Sequence, residues 1–215
     1  MKIVVIEDHK LFRGMLTMTF GQLMRKATVD GASSGEEGVE LCRELKPDIV
    51  FLDLDLPDDH GLKLVPRINA ASPASRIIVL TSHADEFTLH RVRHANVQGF
   101  LDKAEQPIEV LQEAVATVMA GQQYYSSVAQ RLKAKLQADP AAFDKVLSER
   151  EQELLCLFGQ DMTNEQVAKR TGLSASTVKS HRRNIMNKLN LHTASQLVRY
   201  ALEKGFTWLE PPPQL

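Results

Sequence analysis

Four short apolar runs punctuate the first 121 residues: Ile3-Val4-Val5-Ile6, Ile49-Val50-Phe51-Leu52, Ile77-Ile78-Val79-Leu80 and the weaker Gly99-Phe100-Leu101. Continuous β-branched runs suit strands covered on both faces, as in a parallel sheet. Helical patterns lie between them. Ile108, Leu111, Val115 and Val118 recur at helical spacing, after Pro107 at a first helical position and before Gly121 as a stop. This alternation predicts right-handed βαβ units and an α/β, doubly wound, parallel five-stranded domain over residues 1–121. The working site of such a sheet lies at the carboxyl ends of its strands.

From Val146 onward the pattern is helical only. Ser148-Glu149-Arg150-Glu151 and Thr163-Asn164-Glu165-Gln166 both fit a capping box, and Gly172 with Ser174 brackets a tight turn into another helix. Residues 146–207 therefore read as a small all-α domain. Residues 122–145, which open Gln122-Gln123-Tyr124-Tyr125-Ser126-Ser127 and lack a strong core stripe, read as a partly helical linker. Residues 208–215 form a proline-rich tail around Pro211-Pro212-Pro213.

Composition first narrows the class and then divides it. The 215 residues are 43% hydrophobic and 25% charged, the balance of a globular chain. No run approaches the ~18 apolar residues of a membrane span, and Glu7 interrupts the first apolar run too early for a secretory leader. The expectation is a cytoplasmic protein with no membrane partner. Cys42 and Cys156 stand far apart without ligand spacing, which excludes a disulfide framework and structural zinc. The net charge of −1 is a cancellation. Residues 1–121 hold 13 Lys/Arg against 18 Asp/Glu, whereas residues 122–215 hold 13 against 9. Residues 166–202 contain no acid at all. Asymmetry of this kind points to nucleic acid as the partner of the basic half.

The acidic half places chemistry at its strand ends: Glu7-Asp8 after the first run, Asp53 after the second, Thr81 after the third and Lys103 after the fourth. Carboxylates that converge at one sheet edge need a cation, and hard oxygen ligands with retained waters suit Mg²⁺. A lysine and a hydroxyl facing the same spot supply donors to a phosphoryl group carried on Asp53. Asp58 and Asp59, after Pro57, read as polar loop.

With Pro57 and Gly61 after Asp53, and Phe100 three residues before Lys103, residues 1–121 resemble the receiver domain of bacterial two-component response regulators. The resemblance implies that Asp53 accepts a phosphoryl group from a sensor histidine kinase. It gives Mg²⁺ to Asp8, Asp53 and the backbone carbonyl of Asp55, with Glu7 acting through water. It assigns Lys103 to the phosphoryl oxygens, Thr81 to a hydroxyl switch, and Phe100 to an inward rotation that follows it. Asp55 and His83 fall at positions that vary in the family and tune phosphoryl lifetime.

In the basic half, Ile185 and Leu189 each lie within about 20° of Val178 at 100° per residue, a core-facing stripe. Ser176, Ser180, Arg183 and Asn187 fall on the opposite side, flanked by Lys179 and Asn184, a basic and amide-rich face able to meet base edges and phosphates. The stretch from Leu147-Ser148-x-Arg150-Glu151 through Ala201, with Lys188-Leu189 closing the motif, resembles the LuxR-type helix-turn-helix of NarL/FixJ response regulators. By that resemblance Lys179, Ser180 and Arg183 enter the major groove of promoter DNA, and Thr177, Lys188 and His192 contact phosphates. Asn187 is counted with the DNA-binding set. The helix around Ala194–Gly205 is expected to support a homodimer, with Leu197, Val198 and Ala201 as its seam. RNA polymerase is a further expected partner.

These observations predict a transcription regulator switched by phosphorylation of Asp53, not an enzyme beyond assisting its own phosphoryl transfer and dephosphorylation. Three rivals remain at this point: a regulator whose DNA binding ignores phosphate, a ligand-sensing regulator sharing the DNA-binding domain, and an aspartate-nucleophile phosphatase suggested by Asp53-Leu54-Asp55. The phosphatase leaves the basic helix face without a purpose.

Overall fold

A computed structural model describes residues 1–24, 27–104 and 108–206. Pro107 and the proline-rich tail lie outside the described residues. The chain divides into two compact units, Met1–Ala84 with Arg91–Arg131, and Asp85–His90 with Leu132 onward.

The first unit is built on strands β1 (Lys2–Ile6), β2 (Thr28–Ala32), β3 (Ile49–Leu52), β4 (Arg76–Thr81), β5 (Gly99–Asp102) and β6 (Tyr124–Tyr125). All pair in parallel, in the order β2-β1-β3-β4-β5-β6. The expected five-stranded sheet thus has six strands among the described residues, because the start of the expected linker adds β6 to the β5 edge. Strand β2 has no apolar run, for it is an edge strand paired with β1 alone and mostly exposed. Between the strands run α1 (Lys10–Leu23), α2 (Gly35–Leu45), α3 (Gly61–Ala71), α4 (Glu86–His94) and α5 (Ile108–Met119).

Leu16 and Phe20 of α1 and Leu111, Val115 and Val118 of α5 close over Ile3, Val5, Phe51 and Ile78 on one face of the sheet. Phe20 stacks on Phe51 at 4.5 Å. Each large side chain so enclosed stabilises the fold by about 1.5–3 kcal/mol. The strand order reverses direction between β1 and β3, so a crevice opens beyond their carboxyl ends.

The second unit contains most of α6 (Ser127–Ala138), with α7 (Phe143–Val146), α8 (Glu149–Gly159), α9 (Asn164–Thr171), α10 (Ala175–Lys188) and α11 (Ala194–Lys204). The expected linker is therefore largely helical. Ser148 and Thr163 open α8 and α9 through the expected capping boxes, and Thr193 with Gln196 makes a third at α11. Gly172 ends α9 at φ +68°, a left-handed conformation in which glycine carries no Cβ penalty. Leu154, Leu155, Phe158, Val178, Ile185 and Leu197 form the core, together with Phe87 stacked 4.0 Å from Phe206.

Candidate functional sites

The crevice at the β1–β3 switch point is a cleft of about 530 Å³ lined by Glu7, Asp8, Phe12, Asp53, Asp55, His83 and Lys103 among others. The backbone builds it first. Asp53 N donates to Ile6 O at 2.9 Å, which locks the ends of β1 and β3 together. Arg13 Nη1 donates to the carbonyls of Glu7 and Asp8 at 2.5 and 3.1 Å, which pins the acidic pair from α1. On the far side, Gly61 starts α3 against the strand end that carries Asp53. A Cβ there would sit 2.2 Å from Asp53 O, so only glycine fits. Asp58 is more than polar loop: its carboxylate accepts from Gly35 N and Glu36 N at 2.8 and 2.9 Å, capping α2.

Within this frame Lys103 Nζ lies 2.8 Å from Glu7 Oε2 and 2.7 Å from Asp53 Oδ2, and both carboxylates are 2% exposed. Burial pushes the carboxyls of Asp53 and Glu7 above their ordinary range, and Lys103 offsets this only in part. Burial also opposes the charge on Lys103, but the two carboxylates outweigh it and hold the ammonium above its usual value. Two anions against one cation leave the cleft electron-rich. Glu7, Asp8 and Asp53 each offer one oxygen, and these atoms all lie within 4.8 Å of one another. That all-oxygen set, with Asp8 exposed to carry water, fits a hard divalent cation.

Thr81 is fully buried at the end of β4, where its Oγ1 accepts from His83 N at 3.1 Å. Phe100 is likewise fully enclosed, so any movement of the ring starts from a buried position. His83 Nε2 stands 3.0 Å from Asp55 Oδ2 across the cleft mouth. Burial raises the Asp55 carboxyl and His83 partly offsets it. Asp55 and His83, the two positions expected to tune phosphoryl lifetime, are thus in direct contact.

On α10, Val178 and Ile185 are fully buried, whereas Thr177, Lys179, Ser180, Arg183, Asn184 and Asn187 are exposed. The expected reading face is open to solvent. Two cations on this helix also have partners within the fold. Lys188, expected at a phosphate, places Nζ 2.7 Å from Glu151 Oε2, the carboxylate of the α8 capping box. Arg182 turns inward, donating to Met162 O at 2.6 Å and lying 4.2 Å over the Phe158 ring. Its role was invisible in the charge pattern.

The expected dimer seam needs correction as well. Leu197 and Ala201 are 0% exposed inside the unit's own core, so neither can meet a second copy. Only Val198 of the three reaches the surface, half-buried and one helical turn from Leu202, which is 57% exposed.

A doubly wound domain whose strand ends converge on a buried carboxylate and a lysine, joined in one chain to a helix-turn-helix, defines a DNA-binding response regulator. Residues 3–116 match the response regulator receiver domain, and residues 145–201 match the luxR family of bacterial regulatory proteins. The oxygen regulatory protein NreC of Staphylococcus epidermidis is 33% identical over 95% of this chain and 98% of its own, and that of Staphylococcus haemolyticus is also 33% identical. RcsB of Salmonella enterica serovar Typhimurium bound to promoter DNA shares the fold, with a TM-score of 0.67 and 24% identity over 95% of this chain and 98% of its own. A LuxR-family response regulator from Aurantimonas, 27% identical, superposes over 64% of this chain and 98% of its own at a TM-score of 0.58. The chain belongs to the two-component response regulators that join a receiver domain to a LuxR-type helix-turn-helix, and it regulates transcription by binding DNA.

Proposed function

We propose that Asp53 is the phosphoacceptor and that its phosphorylation by a sensor histidine kinase controls promoter binding. The observation that carries this reading is Lys103 bridging Glu7 and Asp53 at 2.8 and 2.7 Å in the cleft at the strand ends. In the transfer, a carboxylate oxygen of Asp53 attacks the phosphorus of a phosphohistidine. An O–P bond forms, the P–N bond breaks, and the imidazole leaves with a proton. Lys103 then trades its bond to Asp53 for the new phosphoryl oxygens, and the Thr81 hydroxyl turns from His83 N toward the same oxygens. Phe100 and β5 respond to that turn.

Mg²⁺ fits the oxygen set. Asp8, Asp53 and the Asp55 carbonyl would hold it, with Glu7 acting through water, and it supplies positive charge that two carboxylates and a phosphoryl group lack.

On DNA, Lys179, Ser180 and Arg183 face base edges, Asn187 joins them, and Thr177 and His192 meet phosphates. Lys188 stays with Glu151. A homodimer on paired half-sites buries Val198, and the bound dimer engages RNA polymerase in the cytoplasm, where promoter DNA lies. Incubation with acetyl phosphate and Mg²⁺ tests the reading: the wild type should gain one acid-labile phosphoryl group and bind its promoter more tightly, while Asp53→Asn should gain none. Uptake by Asp53→Asn, or uptake by the wild type without a change in DNA affinity, refutes it.

A further inference from the structure

The stretch expected to be a linker begins as part of the sheet. Strand β6 sets Tyr124 beside Gly99 and Tyr125 beside Phe100. Tyr124 N donates to Gln98 O at 2.9 Å and Ser126 N donates to Phe100 O at 3.0 Å, so a pair of backbone bonds brackets the Phe100 position. Gln130 Nε2 donates to Tyr125 O at 2.9 Å, and Gln130 N donates to Ser126 O at 2.9 Å. Ser126 is 3% exposed and its Oγ accepts from Ala129 N. Helix α6 therefore springs directly from the strand, with only Ser126 between them to absorb a displacement.

The other edge of β5 is tied to the phosphoacceptor chemistry. Val79 pairs with Phe100 and Thr81 with Asp102, and Lys103 N donates to Thr81 O at 2.9 Å. Thr81 and Lys103, the two groups that grip a phosphoryl oxygen in the function proposed above, thus sit on β4 and at the end of β5. A pull on either is a pull on the strand that carries β6. Strand β6 pairs at two positions, whereas β1–β3 and β3–β4 each pair at four. It is the attachment with the fewest paired positions in the sheet, and so a low-stability one.

We propose that the β5–β6 pairing is the release point of the switch: as Thr81 and Lys103 re-pair with the phosphoryl group, the end of β5 shifts, the β6 ladder breaks and the start of α6 is freed. This rests on Asp53 being the phosphoacceptor. No chemistry beyond the transfer described is required.

Hydrogen exchange on the full chain, resting and after acetyl phosphate with Mg²⁺, reads the ladder directly. The Tyr124 and Ser126 amides should exchange at least about fivefold faster after phosphorylation, the factor set by one backbone hydrogen bond lost. Amides of β1 and β3 should not change. Ser126→Pro removes the donor to Phe100 O while keeping Tyr125 extended. It should take up phosphoryl like the wild type, yet its phosphorylated and resting forms should bind promoter DNA within about twofold of each other. A phosphorylated wild type with unchanged exchange at 124 and 126, or a phosphorylated Ser126→Pro that keeps the full wild-type change in DNA affinity, overturns the proposal. Should Ser126→Pro fail to fold, exchange in the wild type decides alone. Wild-type protein that takes up no phosphoryl group refutes the Asp53 reading instead, and this proposal falls with it.

Discussion

Replacing Lys103 with methionine isolates the electrostatics of the cleft. Methionine keeps an unbranched stem of similar length and deletes the ammonium that stands 2.8 Å from Glu7 and 2.7 Å from Asp53. Removing one partner of a buried charge pair costs about 3–5 kcal/mol. The lysine side chain is 15% exposed, which places this site at the lower end, about 3 kcal/mol. The stranded carboxylates have one relief, which is to take up a proton. Their folded pKa values are already raised by burial and rise further without the ammonium. An acid whose folded pKa exceeds its unfolded one destabilises the fold at higher pH, and the penalty shrinks as pH falls toward the unfolded value. The cost of Lys103→Met should therefore be greatest at pH 7.5 and smaller at pH 5.5. Millimolar Mg²⁺ at pH 7.5 should recover part of it. Urea unfolding followed by far-UV circular dichroism, on wild type and variant at both pH values with EDTA or Mg²⁺, measures each difference. Equal costs at the two pH values, with no gain from Mg²⁺, would show that the cleft does not hold two buried anions against one cation.

Further outcomes follow from other parts of the structure. Burial lowers His60 to about 4, so stability should rise with pH between about 4 and 6.5, by about 3 kcal/mol in all, and the urea midpoint of His60→Asn should lose that portion of the slope. Arg183→Ala should lower discrimination between promoter and mismatched DNA by about 1–3 kcal/mol. Lys188→Ala should instead leave the salt dependence of binding unchanged and lower stability by about 0.5–1 kcal/mol, both readable by fluorescence anisotropy and urea unfolding. Leu197→Ala should destabilise the second unit by about 2–5 kcal/mol, whereas Val198→Ala should leave its unfolding within about 0.5 kcal/mol of wild type, as calorimetry will distinguish.

The architecture was largely legible in the sequence because its signals are local. Apolar runs marked β1, β3, β4 and β5, and capping boxes marked α8 and α9. The strand-end residues Asp53, Thr81 and Lys103 could be placed in one cleft because a parallel sheet turns all its carboxyl ends the same way. What stayed hidden depended on distant partners or on strength too small to show. The strand Thr28–Ala32 lies at an edge and needs no apolar run, and Tyr124–Tyr125 is too short to make one. The ion pair of Lys188 is silent in the sequence because its carboxylate partner, Glu151, lies 37 residues earlier. Leu197 and Ala201 shared a stripe with Val198, and periodicity cannot say whether such a stripe faces its own core or a second copy. Arg13 and Asp58 hold backbone groups, and nothing in their surroundings advertises that task.

The three capping boxes, at Ser148, Thr163 and Thr193, bear on the order in which the chain acquires its abilities. Each start signal lies within four residues, so these helices nucleate from local information. The carboxylates of the cleft meet only after strands such as β1 and β3 have paired across the α1–β2–α2 crossover, with Ile3 beside Ile49. Short-range contacts form faster than long-range parallel pairing, because less loop entropy is lost before contacts compensate for it. On refolding, the surface that reads DNA therefore matures before the cleft that receives the signal. A newly refolded chain can recognise a promoter before it can be instructed.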